Sequence, residues 1–145
     1  MPRIKLLEQE SYEFRQSIEV RPQDVNHAGH LGNDSLISLV GAARALLLRS
    51  LGLSELDLGD GSTGLIITDL AVNYRAEAFM SDLLAVDSHM GEFAPKGFRM
   101  FHRIRRDHTL IALVEVGVAA YHYGTKKIAP VPGEFLQRLA ERARP

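Results

Sequence analysis

A polar stretch between positions 24 and 34 is the part of this chain best equipped for chemistry. It reads Asp-Val-Asn-His-Ala-Gly-His-Leu-Gly-Asn-Asp and lies directly before an apolar run with helical spacing, residues 35–51. Backbone N–H groups and polar side chains at the N-terminal end of a helix stabilise negative charge. The sequence therefore predicts a site for an anion, or for an oxygen that becomes negative during a reaction, at the start of this helix.

Two aspartates flank this stretch, and each has a simple structural interpretation. Asp34, Ser35 or Asn33 could cap the start of the helix, a contribution of about 1 kcal/mol. Asp24 is positioned to fix the loop by accepting hydrogen bonds from backbone N–H groups, or to contact a ligand.

Two further charged residues fall within apolar runs, where an unpaired charge is costly. Asp69 lies in the middle of a predicted strand, and Arg44 lies in the middle of the predicted helix. An ion pair between them would satisfy both, and so would separate positions in a ligand cleft. The sequence leaves these two alternatives open.

Composition excludes several classes of protein. At 145 residues the chain is expected to form a single domain, residues 1–145. A net charge of −1 argues against binding to nucleic acid or to an anionic membrane surface. The lack of cysteine excludes disulfides, cysteine-based zinc sites and a thiol nucleophile, and fits a reducing cytoplasm. No apolar run is long enough to span a bilayer, and residues 1–8 lack the apolar core of a signal peptide.

Periodicity predicts the elements that must position these residues. Alternation predicts a first strand over residues 12–20, and helical spacing predicts a helix over 35–51 that is largely buried on all sides and ends at Gly52. A Gly- and Asp-rich loop follows over 53–63. Four strands are predicted over 64–75, 82–93, 98–106 and 110–123, with a short helix over 135–143. Short turns between strands favour antiparallel pairing, so the expected architecture is α+β: a long central helix wrapped by an antiparallel sheet of about five strands.

The order of these elements and three motifs resemble the hotdog-fold thioesterases of the hydroxybenzoyl-CoA type. Residues 26–33, Asn-His-Ala-Gly-His-Leu-Gly-Asn, are similar to the family pattern D-x-x-G-H-V-N-N at the mouth of the central helix. Residues 70–78, Leu-Ala-Val-Asn-Tyr-Arg-Ala-Glu-Ala, look like its apolar-x-apolar-x-Tyr-x-x-Pro-Ala segment, and residues 121–132 are similar to its last strand and closing proline. The resemblance covers nearly the whole chain.

One position departs from the family pattern in a way that affects the chemistry. The catalytic acid of the family falls on Asn26, which cannot act as a general base or nucleophile. The helix positions where many relatives carry Glu are Gly41 and Ala42. Thioesterases of enediyne polyketide pathways also have Asn at this site and an Arg further along the helix, where Arg44 stands here, although Arg is frequent at this point in other relatives as well.

The resemblance implies the following roles for the loop. Asn26 would donate its amide to a thioester carbonyl or orient a water, with a plain turn residue as the alternative. The backbone N–H near Gly29 and His30 would face the thioester oxygen. His27 is the one obvious new base, unless it is merely a solvated loop residue; Asp24 or Asp69 could also activate water.

The substrate-binding set is wider, and no metal is expected. Candidate contacts to substrate are Asp24, Leu31, Asn33, Tyr74, Arg103, Arg105, Lys126 and Lys127. The basic residues suit the phosphates of a CoA tail, but a solvated outer sheet face explains them equally well. The histidines lack a third ligand in register, so a metal site is not predicted.

The sequence therefore predicts an acyl thioester hydrolase acting on an acyl-CoA or acyl-carrier-protein substrate through oxyanion stabilisation and activated water. The alternative is a non-catalytic acyl-thioester-binding protein that has lost the catalytic carboxylate. A third possibility is dehydration of a hydroxyacyl thioester. No cofactor is expected beyond CoA or phosphopantetheine as part of the substrate, and the resemblance implies a cytoplasmic homodimer or homotetramer.

Overall fold

In the computed structural model, which describes residues 3–142, a long helix lies against one antiparallel sheet. The strands run in the order β1-β3-β4-β5-β2, and a short β6 adds to β5. The elements are β1 Phe14–Glu19, α1 Asn33–Ser50, β2 Thr63–Tyr74, β3 Leu83–Ala94, β4 Gly97–Arg106, β5 Thr109–His122, β6 Lys127–Ile128 and α2 Gly133–Arg142. The predicted α+β architecture, a central helix wrapped by an antiparallel sheet, is therefore confirmed.

The core lies between α1 and the inner face of the sheet. Buried leucines of α1, among them Leu36 and Leu47, belong to one apolar cluster with Met100 and Ile104 of β4. The opposite side of α1 is open: Ile37 is 37% and Leu46 42% exposed. The prediction of a helix buried on all sides is wrong for the single chain, because one sheet covers only one side of a helix.

The two ends of α1 are stabilised in different ways. Gly32 occupies the N-cap position, and no side chain caps the helix. The predicted cap at Asp34, Ser35 or Asn33 is wrong, because the helix begins at Asn33 and these residues already lie within its first turn. The other end agrees with prediction. Gly52 has a φ of 72° and its N–H donates to the Arg49 carbonyl, while the Leu53 N–H donates to Leu48, the pairing of a Schellman motif.

A bulge in β2 changes which face its residues occupy. Ile67 is opposite Val118 and Asp69 is opposite Gly117, so Thr68 is the extra residue. An added residue reverses the alternation of side chains along a strand. Leu65 is consequently buried in the core, whereas Asp69 lies on the outer face of the sheet and is exposed.

The remaining elements differ from prediction mainly at their ends, by one or two residues. The two-residue β6 and a 3₁₀ turn at Pro22–Asp24 were not predicted. The second helix is predicted to end at Ala143, which lies outside the described residues, as do Met1 and Pro2 of the N-terminal stretch. None of the helices within residues 3–142 has the length and apolar character needed to cross a membrane.

Candidate functional site

A cavity of about 540 Å³ opens beside the N-terminal end of α1. The loop before the helix forms one wall, and the end of β2 with the residues that follow it forms another. Its lining comprises Asn26, His30, Leu31, Gly32, Asn33, Leu36, Tyr74, Arg75, Ala76, Glu77, Ala78 and Ile111. Five predicted site residues are thus brought together: Asn26, His30, Leu31, Asn33 and Tyr74.

Asp24 stabilises the loop before α1. Its side chain is 4% exposed and accepts hydrogen bonds from the backbone N–H and the guanidinium of Arg21. The Arg21 guanidinium, with the backbone bond, keeps the pKa of Asp24 below its ordinary value. Its backbone carbonyl accepts the Gly32 N–H at 2.9 Å. Asp24 therefore supports the loop and does not line the cavity.

Asn26 is a turn residue whose amide nitrogen remains available. Its Oδ1 accepts the Ala28 N–H at 3.0 Å, and its backbone N–H donates to the His30 carbonyl at 2.9 Å. Within residues 3–142, its Nδ2 has no protein partner. The bond to Oδ1 therefore orients the side chain, and Nδ2 can donate to a ligand in the cavity.

Of the two backbone donors predicted for this loop, the Gly29 N–H is paired and the His30 N–H is not. The Gly29 N–H, expected to face a reacting oxygen, donates instead to the Asn26 carbonyl at 3.0 Å. Gly29 serves the turn, with a φ of 87° that other residues rarely adopt. In the described part of the chain the backbone N–H groups of His30 and Asn33 lack a partner, and both residues line the cavity. Asn33 is the first residue of α1, where such groups are expected to be free.

Two cavity side chains are anchored by backbone carbonyls. The Nδ1 atom of His30 lies 3.2 Å from the Leu31 carbonyl oxygen. Tyr74 donates its hydroxyl to the Asn33 carbonyl at 2.7 Å and so holds β2 to the start of α1. Burial, with the charge of Asp34, raises the pKa of Tyr74, so the hydroxyl remains a donor at neutral pH. Tyr74 is a wall of the cavity that fixes its shape.

Asp69 and Arg44 do not pair with each other, which corrects the proposed ion pair. The Asp69 carboxylate accepts from the Arg99 guanidinium at 2.6 Å, which lowers the pKa of Asp69. The Arg44 Nε donates to Glu55 Oε1 at 2.7 Å. The bulge in β2 turns Asp69 to the outer face, and Glu55 comes from a loop whose path the sequence pattern does not reveal. Neither Asp69 nor Arg44 lines the cavity.

The predicted basic face is an ion-pair network on the outer face of the sheet. Arg103 and Arg105 both bond to Asp87, and Arg103 also bonds to Glu8. Burial raises the pKa of Asp87, but hydrogen bonds from Arg15, Arg103 and Arg105 outweigh it, so the pKa lies below its ordinary value. Because these charges are already paired and face away from α1, Arg103 and Arg105 are not available to CoA phosphates at this cavity.

Three other predicted residues also lie away from the cavity. Lys126 and Lys127 are exposed at the connection between β5 and β6. His27 is exposed on the loop and is not among the lining residues. Among residues 3–142, no group of three His, Asp or Glu side chains could hold a metal ion.

Sequence reasoning missed Glu77, the one carboxylate in the cavity lining. A signal was present: in the segment that resembles Tyr-x-x-Pro-Ala, Glu77 occupies the proline position. Arg75 was missed as well, and so was Ile111, because β5 is brought to the cavity by its pairing with β2.

His102 is a buried histidine outside the cavity, on the inner face of β4. Its Nδ1 lies 2.7 Å from Ser88 Oγ, and its Nε2 has no partner within the described residues. Burial, with the nearby charge of Arg44, lowers the pKa of His102 to about 3. His102 is therefore neutral at physiological pH and belongs to the core.

Comparisons with solved structures agree with this fold. The chain is similar to a 1,4-dihydroxy-2-naphthoyl-CoA thioesterase from Synechocystis (19% identity over 91% of this chain and 98% of the other, TM-score 0.80). A hypothetical protein from Staphylococcus aureus solved in complex with CoA is also similar (18%, 89% and 82%, TM-score 0.79), as is a gentisyl-coenzyme A thioesterase (18%, 86% and 98%, TM-score 0.76). At these identities the likeness shows the shared fold. A comparison with curated protein sequences gave no match.

The family assignment comes from the sequence itself. The sequence model of the thioesterase-like superfamily matches residues 20–139, from the end of β1 to the middle of α2. This range contains the loop, the central helix and every residue that lines the cavity. The chain belongs to the thioesterase-like superfamily.

Proposed function

We propose that this protein hydrolyses the thioester bond of an acyl-CoA. The observation that carries the proposal is a set of unpaired donors on residues that line one cavity at the start of α1: the Asn26 amide and the backbone N–H groups of His30 and Asn33. Donors fixed before the reaction stabilise the oxyanion that forms when water adds to a thioester carbonyl. Removal of one such donor typically costs 10²- to 10³-fold in rate, about 3 kcal/mol.

The cavity suits a compact apolar acyl group. Leu31, Leu36 and Ile111 contribute apolar surface, and Ala76 and Ala78 leave space between the polar walls. A volume of about 540 Å³ is within the usual range for small-molecule sites. Two of the similar structures are thioesterases of aryl-CoA substrates by name, so aryl-CoAs are the first substrates we expect.

A second candidate function is binding of an acyl thioester without turnover. The observation that favours it is Asn26 itself, because an amide accepts no proton from water. In that case the cavity would hold the thioester through the same donors and release it unchanged.

Two variants of Asn26 separate these functions. Asn26→Ala removes both the turn bond and the donor, whereas Asn26→Asp keeps an oxygen for the Ala28 N–H and loses the donor. We expect the unmodified protein to cleave aryl-CoAs, and Asn26→Ala to lower kcat about 100-fold or more. Hydrolysis can be followed by thiol release, with far-ultraviolet circular dichroism as the folding control.

Other results would favour binding without turnover, or would exclude a role for Asn26. If the unmodified protein binds acyl-CoA but shows no turnover above background, and Asn26→Asp creates hydrolysis, the protein is a binding module. A kcat in Asn26→Ala equal to that of the unmodified protein would remove Asn26 from the mechanism.

We also propose a dimer formed through β2. This strand ends the sheet, with β5 as its one strand partner within residues 3–142. Leu70 and Tyr74 of β2 are 42% and 49% exposed, and Ile37 of the neighbouring helix is exposed as well. An unpaired strand edge next to apolar side chains favours pairing with a second copy. A homotetramer built from two such dimers is also compatible with this interface.

A further inference from the structure

We infer that Glu77 is the general base that removes the proton from the attacking water. This inference rests on the proposed hydrolytic function and answers the question that Asn26 raises, namely which group performs the base chemistry. Glu77 follows β2, on the wall of the cavity formed by residues 74–78, and the oxyanion donors belong to the wall formed by residues 26–33.

The other acidic candidates are engaged elsewhere. Asp24 is buried and bonded to Arg21, and Asp69 is bonded to Arg99 on the outer face of the sheet. Asp87 is buried among three arginines on the same outer face. Glu55 is bonded to Arg44. Glu77 is the carboxylate that lines the cavity, and its side chain has no hydrogen-bond or ion-pair partner within residues 3–142.

The backbone around Glu77 is fixed even though its carboxylate is free. Its carbonyl accepts from Arg106 at 2.8 Å, and the Ala78 carbonyl accepts the Leu31 N–H at 2.7 Å. The Arg75 N–H donates to the Ile111 carbonyl at 2.8 Å. These bonds hold residues 75–78 at a set distance from the loop that carries the donors. A carboxylate that no cation or donor occupies is free to accept a proton from water in the cavity.

The donors and Glu77 line the same cavity, as the reaction requires. The thioester oxygen would lie against Asn26 and the His30 N–H, while water would approach the carbonyl carbon from the side of Glu77. Glu77 takes one proton from the water molecule while the water oxygen bonds to the carbonyl carbon. The π electrons of the carbonyl group move to the carbonyl oxygen, which the donors hold. The carbon–sulfur bond then breaks, and the proton on Glu77 passes to the leaving thiolate. The products are the free acid and the thiol of CoA, with Glu77 ionised again.

His30 is the alternative base within the cavity. Its Nδ1 is placed against the Leu31 carbonyl, which leaves Nε2 as the atom that could accept a proton. His30 belongs to the same segment, residues 26–33, as the donors. The experiment therefore includes a His30 variant.

The test compares Glu77→Gln with Asp34→Asn in hydrolysis of an aryl-CoA that the unmodified protein cleaves. Asp34 is an exposed acid near Tyr74 that does not line the cavity, so its variant controls for the loss of a negative charge. We expect Glu77→Gln to lower kcat by 10²- to 10⁴-fold with KM changed less than threefold, and Asp34→Asn to keep kcat within twofold.

A chemical rescue distinguishes a base from a structural residue. Glu77→Ala should regain activity when formate, a small external base, is added, whereas Asn26→Ala should not. Calorimetric titration with CoA should give the same affinity for Glu77→Gln and the unmodified protein.

Failure of this inference can be told from failure of the proposed function. If the unmodified protein cleaves aryl-CoA and Glu77→Gln keeps at least half of its kcat, Glu77 is not the base and hydrolysis stands. If His30→Gln loses activity while Glu77→Gln retains it, the base is His30. If the unmodified protein cleaves no thioester, the hydrolytic function is wrong and the role of Glu77 with it.

Discussion

Asn26 combines two roles that are often treated as alternatives. Its oxygen closes a turn by accepting the Ala28 N–H, and its NH₂ group, on a residue that lines the cavity, is left without a partner in the described residues. An aspartate here could keep the turn but would replace the donor with a negative charge beside the developing oxyanion. In the mechanism we propose, Asn26 therefore donates to the oxyanion, and another residue supplies the base.

At the residue scale, the family pattern predicted which side chains lie at the cavity better than the residue types predicted their partners. Asn26, His30 and Tyr74 were identified because they occupy motif positions at the mouth of the central helix and at the end of a strand. The partners of Asp69 and Arg44 could not be predicted. A single inserted residue in β2 moves Asp69 to the opposite face, and Glu55 approaches Arg44 from an irregular loop.

His102 makes a prediction for the pH dependence of stability. Its pKa in the folded chain lies below the ordinary value of 6.5, so the unfolded chain binds a proton that the folded chain does not. Stability from this residue is complete above pH 6.5 and falls as the pH drops below it, by up to about 1.4 kcal/mol per pH unit. We expect the free energy of unfolding in urea to fall between pH 7.5 and 5.0, a range above that in which Asp24, Asp69 and Asp87 take up protons.

The variant His102→Asn should flatten this dependence, since Asn keeps a hydrogen-bonding group near Ser88 and does not titrate. His108→Asn, in the exposed turn between β4 and β5, is the matched control and should keep the slope of the unmodified protein. An unchanged slope in His102→Asn would show that another group causes the pH dependence.

At the scale of elements, the start of α1 shows how a missing cap contributes to a site. With Gly32 at the N-cap, no side chain occupies the helix terminus, and the Asn33 N–H remains free to face the cavity. Periodicity predicted that a helix begins near here, but the exact first residue depends on the turn through Gly29 and on the bond from Gly32 to Asp24. Such bonds are formed by tertiary structure and leave no periodic signal.

Gly64 makes a prediction about how β2 is joined to the loop after α1. A Cβ on Gly64 would lie 2.1 Å from the Glu55 carbonyl oxygen, which accepts the Leu65 N–H. Since backbone atoms cannot move aside as a flexible side chain can, we expect Gly64→Ala to lower the free energy of unfolding by about 1–3 kcal/mol. Chemical denaturation at constant pH measures the difference.

Gly133 provides the control for this substitution. A Cβ at Gly133, the first residue of α2, meets no atom within 4 Å, so Gly133→Ala should change stability by less than about 0.5 kcal/mol. Equal stability of Gly64→Ala and Gly133→Ala would contradict the close packing at Gly64.

At the scale of the whole molecule, ion-paired side chains and the exposed apolar side chains of β2 and α1 occupy different parts of the surface. Most of the sheet's charged residues form ion pairs on its outer face, whereas exposed apolar side chains occur beside the free edge of β2 and on the open side of α1. The order of elements predicted the wrapped helix. It could not predict that the helix would be covered on one side only, because periodicity does not distinguish burial by the sheet from burial by a second copy.

Leu70 gives a prediction for assembly. If β2 pairs with a second copy, Leu70→Lys should shift the protein toward a monomer, because it places charge in the joined edge. Leu136→Lys, at an equally exposed leucine of α2, should leave the mass unchanged. Light scattering coupled to gel filtration measures the mass, and a dimer that persists in Leu70→Lys would place the interface elsewhere.

Hydrolysis of acyl-CoA is tested by measuring thioester cleavage by the unmodified protein across a short panel of aryl-, medium-chain and long-chain acyl-CoAs, with acyl-carrier-protein thioesters alongside. We expect turnover of the CoA thioesters, fastest for aryl groups that fit the cavity at the start of α1. Binding of these compounds with no release of thiol above the uncatalysed rate would contradict it.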